Sequence, residues 1–434
     1  MKITYLSQYF PPEVGAPAVR VAELSRCWAA SGHSISVVTG FPNHPTGVVP
    51  PEYRRGLWRL LMRDDRDGFR VFRTWLMPLP NRKSWERILN YASFAASAVL
   101  RCLFLQKPDV LIATSPQLLV GLSGLIIARC RRVPFVFEVR DLWPESLQAV
   151  GVADESSVMV RTLKGIAGLL YREADHIVVV THSFKKYLEE EWGVPAEKIS
   201  VVRNGVDHNL FFPTEPDENI VREFELRGKF VVSYTGTVGN AHGLDTLVTV
   251  AEMLSISDPD VLLLVIGDGA EKETFQRLIS EKGLRNLRLL PGQPRERIPA
   301  LLAASHACLV LLKKNNLFKT VLPTKMMEYM SSGRPVISNV EGEAADLLTD
   351  ASGGICVAPQ DPEALWKAIR EIRAKPELCE ILGRNGRAFV LSSLTRERTA
   401  EEYLKVLRRV LNGRDSEDLT GEEEIAVGNQ TGGN

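Results

Sequence analysis

Residues 322–337 read LPTKMMEYMSSGRPVI, a helix-length segment that runs through Gly-Arg-Pro straight into an apolar strand. Pro323 stiffens the entry, and Thr324 is a good N-cap for a helix starting at Lys325. Free N–H groups and the dipole at such a helix start attract phosphate, and Lys325 adds a full charge there. Glu328 falls one turn on, on the same face, where a carboxylate accepts hydrogen bonds from a vicinal diol such as that of ribose. A cation for phosphate beside an acceptor for ribose describes a nucleotide diphosphate site. The pair alone is equally what a surface ion pair looks like, since such pairs are common and individually weak. The rest of the chain decides between the two.

The same alternation of helix and strand recurs throughout. Short β-branched runs appear as KITYL, SISVVT, FRVFR, DVLIA, PFVFEV, HIVVV and ISVV up to residue 202, then as KFVVSY, VLLLVI, LRLL, ACLVLL, PVIS and GICV from 229 onward. Apolar strands separated by helices imply parallel sheets covered on both faces. Thirteen such runs are too many for one open sheet of ordinary size. The seam falls at 208–228, HNLFFPTEPDENIVREFELRG, where proline and acidic residues break the pattern. The expected architecture is α/β, two Rossmann-like doubly wound parallel-sheet domains facing across a cleft. Their expected bounds are 1–210 and 211–394. A helix at 395–412 is expected to pack back across the seam, and the acidic, aperiodic tail 413–434 reads as disordered.

With 434 residues, 45% hydrophobic and 24% charged, the chain has the composition of an ordinary globular protein with room for two cores. Net charge is zero, but residues 1–140 hold 19 Lys and Arg against 9 Asp and Glu, which asks for an anionic partner at that half. No nucleic-acid reading module is recognisable there, so nucleic acid is not the expected partner. Six widely spaced cysteines without a C-x-x-C read as reduced core thiols of a cytosolic protein. The opening MKITYLSQYF lacks the pattern of a signal peptide. The longest apolar runs, 91–100 and 118–128, are shorter than the roughly 20 residues a membrane span needs. Arg54, Arg55, Arg59, Arg63, Arg82, Lys83, Arg87 and Arg101 mix with Trp58, Trp75 and Trp85, a pattern suited to an anionic membrane surface. A buried helix at 91–100 with solvated charges around it explains the same residues. Asp65-Arg66-Asp67 forms a lone D-x-D, read as a solvated turn before a strand rather than a metal site.

The motifs GTVGNAHGLDTL after KFVVSY, VIGDGAEKE after the next strand, LLPGQPRERIPALLAASHACLVLL, VVRNGVD, PPEVGAPAVR after the first strand and GHSISVVTGFPNHPTG after the first helix follow one another in a telling order. On them the chain resembles the family 4 glycosyltransferases of the GT-B fold, and within those the bacterial branch that builds O-antigen, capsule and colanic acid polysaccharides. The resemblance covers roughly residues 1–410. It implies a retaining transfer from a nucleotide-diphosphate sugar, uridine on family grounds, to a polyprenyl-diphosphate-linked saccharide. It also implies a cytoplasmic enzyme attached peripherally to the inner face of the plasma membrane; a helix terminus and Lys325 can offset the diphosphate charge by themselves, so no metal and no other cofactor is expected.

By the same resemblance Glu328 is the ribose ligand at the second position of an E-x7-E motif, whose first position is Thr320 and has no carboxylate. Lys325, behind Thr324, carries the charge for the diphosphate, with Arg20 or Arg203 assisting. Gly15 and Gly236 lie in loops that approach the donor. Where many members place an Arg and a Lys, this chain offers Thr237 and His242, the latter alternatively a solvated loop histidine. The backbone of Gly292 and Gln293 matches the region that reads the base, while Asn204 tightens the interdomain turn. Where relatives carry a pocket histidine, this chain has Arg140-Asp141. Asp141 would orient the acceptor hydroxyl or stabilise the developing sugar cation and Arg140 would neutralise phosphate, unless the two are a structural pair. Arg20, Asn43 and His44 are the acceptor-side candidates. Two rivals share the architecture: a nucleotide-sugar epimerase acting on the donor alone, and a degenerate partner of another transferase.

Overall fold

Runs of β-branched and aliphatic residues form strands here because both faces of each central strand meet helices; all six residues of VLLLVI (261–266) are buried. The computed structural model describes the chain apart from residues 14, 45, 81–82, 150–156 and 429–434, and apart from the side chains of 148–149 and 414–428. One sheet holds β1 (Lys2–Leu6), β2 (Ser34–Gly40), β3 (Leu61–Arg66), β4 (Phe69–Thr74), β5 (Val110–Thr114), β6 (Phe135–Val139), β7 (His176–Val179) and β8 (Ile199–Val201). Its order is β3-β4-β2-β1-β5-β6-β7-β8. The other holds β9 (Phe230–Thr235), β10 (Val261–Ile266), β11 (Leu287–Leu290), β12 (Ala307–Val310), β13 (Val336–Ser338) and β14 (Gly354–Cys356), in the order β11-β10-β9-β12-β13-β14. Every pairing is parallel except that of β3 with β4. The chain reverses its direction of travel across the sheet at β1/β5 and again at β9/β12. Beyond the carboxyl ends of strands at such switch points a crevice opens for ligand.

The antiparallel pair corrects the reading of the D-x-D. Residues 61–66, LMRDDR, are an edge strand, and the turn is Asp67-Gly68, both at positive φ (47° and 82°). Asp-Gly with both φ values positive is the usual two-residue hairpin turn, and charge is what keeps an edge strand from pairing further. Asp65 is held by Arg63 through two hydrogen bonds, 3.1 and 2.9 Å, in the open.

The last helix, Arg396–Gly428, starts in the second half of the chain and packs on the first. It lies against the helix Ala16–Ala30, where Trp28 Nε1 donates to the Ala400 carbonyl at 3.0 Å and the Trp28 ring meets Tyr403 edge-on at 5.2 Å. Leu404 and Leu407 share a core with Ile3, Tyr5 and Val37. The helix runs beyond the 395–412 periodicity, and the tail expected from 413 falls largely on residues outside the described side chains. The two passages between domains lie side by side: Val206 N donates to Leu394 O and Arg396 N to Val206 O, both at 2.9 Å. A side-chain carbon at Gly205 would stand 2.5 Å from Thr399 Oγ1 and 2.6 Å from Thr395 O, so only glycine lets the passages touch.

The expectation of core thiols holds for Cys102 and Cys308, which are buried, but Cys130 and Cys356 are exposed. Neither needs burial, since the adjoining helix and strand are anchored by their aliphatic neighbours.

Candidate active site

The opening stretch forms the helix Thr324–Ser331, one residue longer than the sequence suggests. Pro323 rather than Thr324 takes the N-cap place, with φ −63° and ψ 123°, and among the described residues no side chain caps the first turn. Met326, Met327, Tyr329 and Met330 face the core, which leaves Lys325 and Glu328 together on the remaining face. This helix start sits against the carboxyl end of β9. Tyr329 Oη accepts from Thr235 N at 2.8 Å, and Tyr234 Oη donates to the Thr237 carbonyl at 2.8 Å. The two tyrosines thus fix the exposed loop Gly236-Thr237 from both sides.

Lys325 Nζ stands 3.8 Å from the centroid of the Tyr234 ring, and among the described residues no carboxylate pairs with it. Burial pulls its pKa down to about 7, with Glu328 pulling the other way. An amine so placed gains charge when an anion arrives. Gly236 makes room for it: at φ +136°, a side-chain carbon there would lie 2.6 Å from Nζ. At Gly267 the same addition would lie 1.7 Å from the Gly236 carbonyl, so the loop after β10 presses directly on the loop after β9.

Several expectations are corrected by what the side chains touch. His242 is no solvated histidine: its ring lies edge-on to Tyr234 at 6.1 Å, and burial with the nearby Lys325 charge lowers its pKa to about 4. It stays neutral near pH 7 and supplies no cation to phosphate. Arg20 is no ligand on either side of the cleft. It is buried, donating from Nε to Glu138 Oε1 at 2.9 Å, from Nη1 to Arg203 O and Asn204 Oδ1, and from Nη2 to Val202 O. Asn204 thereby does tighten the passage out of β8. Arg203 turns to Glu343 across the domains at 3.2 Å, where Glu343 also accepts from the N–H groups of His182 and Ser183 at the start of the helix His182–Trp192.

Asp141 is engaged by Ser146 Oγ at one oxygen and by Trp143 Nε1 (3.1 Å) at the other. Burial raises its pKa, and those two bonds oppose the rise. Arg140 donates to the Pro17 carbonyl at 3.2 Å, beside Gly15, and its buried Nε has no partner among the described residues. Gly15 opens the helix Ala16–Ala30. Asn43 is buried and His44 exposed; both backbone N–H groups donate to Glu13 Oε1 at 3.0 Å, and the His44 ring lies 5.1 Å from that of Tyr9. Gln293 bridges its own loop, accepting from Arg297 and donating to Pro291 O, while Gly292 N donates to Asp268 Oδ2 at 2.7 Å. Thr320 closes a one-turn helix by donating to Leu317 O at 2.7 Å. The structure therefore brings together Gly236, Thr237, Lys325 and Glu328. It adds Tyr234, Tyr329 and Arg295, which the sequence does not mark. Among the described residues no three His, Cys, Asp or Glu side chains cluster as metal ligands.

Two mostly parallel α/β sheets, each with a switch point in its strand order, are the form of a GT-B glycosyltransferase. Residues 15–205 match the family described as "Glycosyl transferase 4-like domain" and residues 216–389 that described as "Glycosyl transferases group 1". The chain belongs to the family 4 glycosyltransferases that carry this pair of domains. The putative colanic acid biosynthesis glycosyl transferase WcaI of Escherichia coli is 24% identical over 94% of this chain and 100% of its own length. The probable glycosyltransferase WbjE of Pseudomonas aeruginosa is 24% identical over 70% of this chain and 75% of its own. Among solved structures, sucrose-phosphate synthase of Thermosynechococcus elongatus superposes with a TM-score of 0.76 at 20% identity, covering 95% of this chain and 99% of that one. Anabaena HepE in complex with UDP-glucose gives 0.71 at 16% identity, covering 94% and 100%. At such identities the structural likeness establishes the shared GT-B fold.

Proposed function

We propose that the enzyme is a retaining, metal-independent glycosyltransferase that moves a sugar from a UDP-linked donor to a polyprenyl-diphosphate-linked saccharide at the inner surface of an anionic membrane, in surface polysaccharide synthesis. One observation carries the donor half of this reading: a half-buried Lys325 that no described carboxylate pairs, beside a helix start that no described side chain caps, with Glu328 on the same face. The diphosphate lies at the helix start against Lys325 and the exposed Gly236-Thr237 loop, and the ribose diol donates to Glu328. The acceptor hydroxyl attacks the anomeric carbon from the face the diphosphate leaves. The bond from that carbon to the phosphate oxygen breaks, and the hydroxyl proton passes to the departing oxygen. No protein nucleophile is required. Lys325 offsets the charge that grows on the leaving group, and closure of the domains excludes water. The name of the E. coli relative and the UDP-glucose in the HepE structure support the substrate class.

The membrane half rests on the N-terminal domain. In the helix Ser84–Leu103, at about 100° per residue, buried Asn90, Phe94, Ala98 and Cys102 fall on one side and exposed Trp85, Ile88, Leu89 and Leu100 on the other. The same helix thus serves the core and leaves an apolar stripe. Trp58 and Phe104 are exposed as well, with Arg54, Arg55, Arg59 and Arg87 nearby in sequence; Arg82 lies outside the described residues. Among the described residues no helix is long and apolar enough to cross a membrane, so docking would be superficial.

Calorimetric titration of UDP in EDTA tests the donor site. Binding that Lys325→Ala weakens by about 1.5–3 kcal/mol, the range for hydrogen bonds to charged groups, is expected. Absence of binding for both UDP and GDP would favour a degenerate partner protein, and product formed from donor alone would favour an epimerase.

A further inference from the structure

We propose that Arg295 is a positioning residue that fixes the ribose-binding carboxylate and ties its orientation to closure of the two domains, so that nucleotide binding and closure reinforce each other. The inference rests on the reading of Glu328 as the ribose ligand. Arg295 follows β11, in the nucleotide domain. Its Nη1 donates to Glu328 Oε1 at 2.8 Å, and its Nη2 donates to Glu23 Oε1 at 3.1 Å. Glu23 belongs to the helix Ala16–Ala30 of the other domain, and its second oxygen accepts from Nε of Arg396, at the start of the last helix. The guanidinium also lies over the Phe211 ring, 5.0 Å from its centroid, on the segment leading into the nucleotide domain. Charges therefore alternate along Arg396, Glu23, Arg295 and Glu328, crossing from one domain to the other where both passages of the chain meet.

Exposure of these side chains is small: 6% for Glu23, 7% for Arg396, 18% for Glu328 and 25% for Arg295. Electrostatic ties count for more in such surroundings than on an open surface, and a planar guanidinium holds two carboxylates in fixed directions. Glu328 keeps its second oxygen for a diol while the first is gripped. Half of Arg295's grip lies on the far domain. Opening the cleft releases Glu23, and with it the constraint that aims Glu328. Burial pushes the Glu328 pKa up, and Arg295 opposes the rise. The charged groups facing Glu328 are Arg295, Glu23 and Arg396, with Lys325 one turn earlier on its own helix.

The test is UDP titration into the full-length protein from pH 5.5 to 8, comparing wild type with Glu328→Gln, Arg295→Met, Arg295→Lys, Glu23→Gln and the double variant Glu23→Gln/Glu328→Gln. Loss of tenfold or more is expected for Glu328→Gln, about the low end for a hydrogen bond to a charged group. Glu23→Gln, in a domain that offers no ribose contact in this scheme, is expected to weaken UDP about fivefold or more, the low end of couplings between sites. That effect should vanish when Glu328 is already Gln. In Arg295→Met the acid limb of the affinity profile moves to higher pH, and Arg295→Lys restores it in part; titration of UDP itself is common to all. Unchanged affinity in Glu328→Gln would remove the ribose assignment and this inference with it. A weakened Glu328→Gln beside a Glu23→Gln that binds like wild type, or an acid limb unmoved in Arg295→Met, would leave the ribose assignment standing and reduce Arg295 to a structural tie. Glu23→Gln and Arg295→Lys keep shape and size, so the outcome does not depend on whether Arg295→Met folds.

Discussion

The two sheets present opposite treatments of charge near the carboxyl ends of their strands. At the end of β6, Glu138 is fully buried and saturated: Tyr5 Oη donates to one oxygen at 2.5 Å and Arg20 Nε to the other at 2.9 Å. At the end of β9, Lys325 is half-buried and unpaired by any described carboxylate, over an aromatic face. A charge answered on every side within the protein holds the fold together, whereas one left unanswered, as Lys325 is, or gripped at one oxygen only, as Glu328 is, keeps room for a ligand. Arg20 and Asp141 are of the answered kind, and Lys325 is of the other, which is the ground for proposing it as the donor's cation.

The largest effect separates those classes. Arg20→Met strands Glu138 as an uncompensated buried charge and is expected to cost about 3–5 kcal/mol in denaturant unfolding, while UDP affinity of the folded fraction stays as in wild type. Burial pushes the Glu138 pKa up, but Arg20, Arg140 and the Tyr5 bond bring it below the ordinary value. The stability this supplies is therefore present above the ordinary Glu pKa, about 4.3, and is lost as pH falls through the folded value. An Arg20→Met protein as stable as wild type would erase the contrast.

Next in size is protonation at Lys325. Its pKa of about 7 in the free enzyme should rise when a diphosphate binds, so UDP binding takes up protons. Affinity should then decline as pH rises above 7, by up to about 1.4 kcal/mol per pH unit. Calorimetry in buffers of different ionisation heat reads the proton count directly. Binding without uptake near pH 8 would place the amine away from the phosphates. Smallest is Asp65→Asn, which loses only an exposed pair with Arg63 and should leave unfolding close to that of wild type. Transferase activity with a divalent cation present should be unaltered; a loss there that excess cation reverses would reopen the D-x-D as a metal site.

Sequence made the fold legible wherever a strand is buried on both faces, because such strands are uniformly apolar. It hid β3, whose LMRDDR is charged for the same reason that it lies at an edge, although the Asp-Gly turn after it was a usable sign. Lys325 and Glu328 were legible because one helical turn joins them. Arg295 was not: it meets Glu328 across 33 residues and Glu23 across 272, and no local pattern encodes such meetings. Arg20 misled for a related reason. A basic residue early in a basic half reads as a ligand until its buried carboxylate, 118 residues away, comes into view.

The adjacent passages at Val206 and Arg396 make the nucleotide domain an insertion, and the N-terminal domain is a discontinuous one closed by the chain's last long helix. Domains usually fold in order as they leave the ribosome. Here Trp28 and Tyr5 wait for Tyr403 and Leu407, which are synthesised only after the whole nucleotide domain has emerged. The half of the enzyme made first is thus the half completed last, and a chain cut short before residue 400 would carry a finished nucleotide domain beside an unfinished partner.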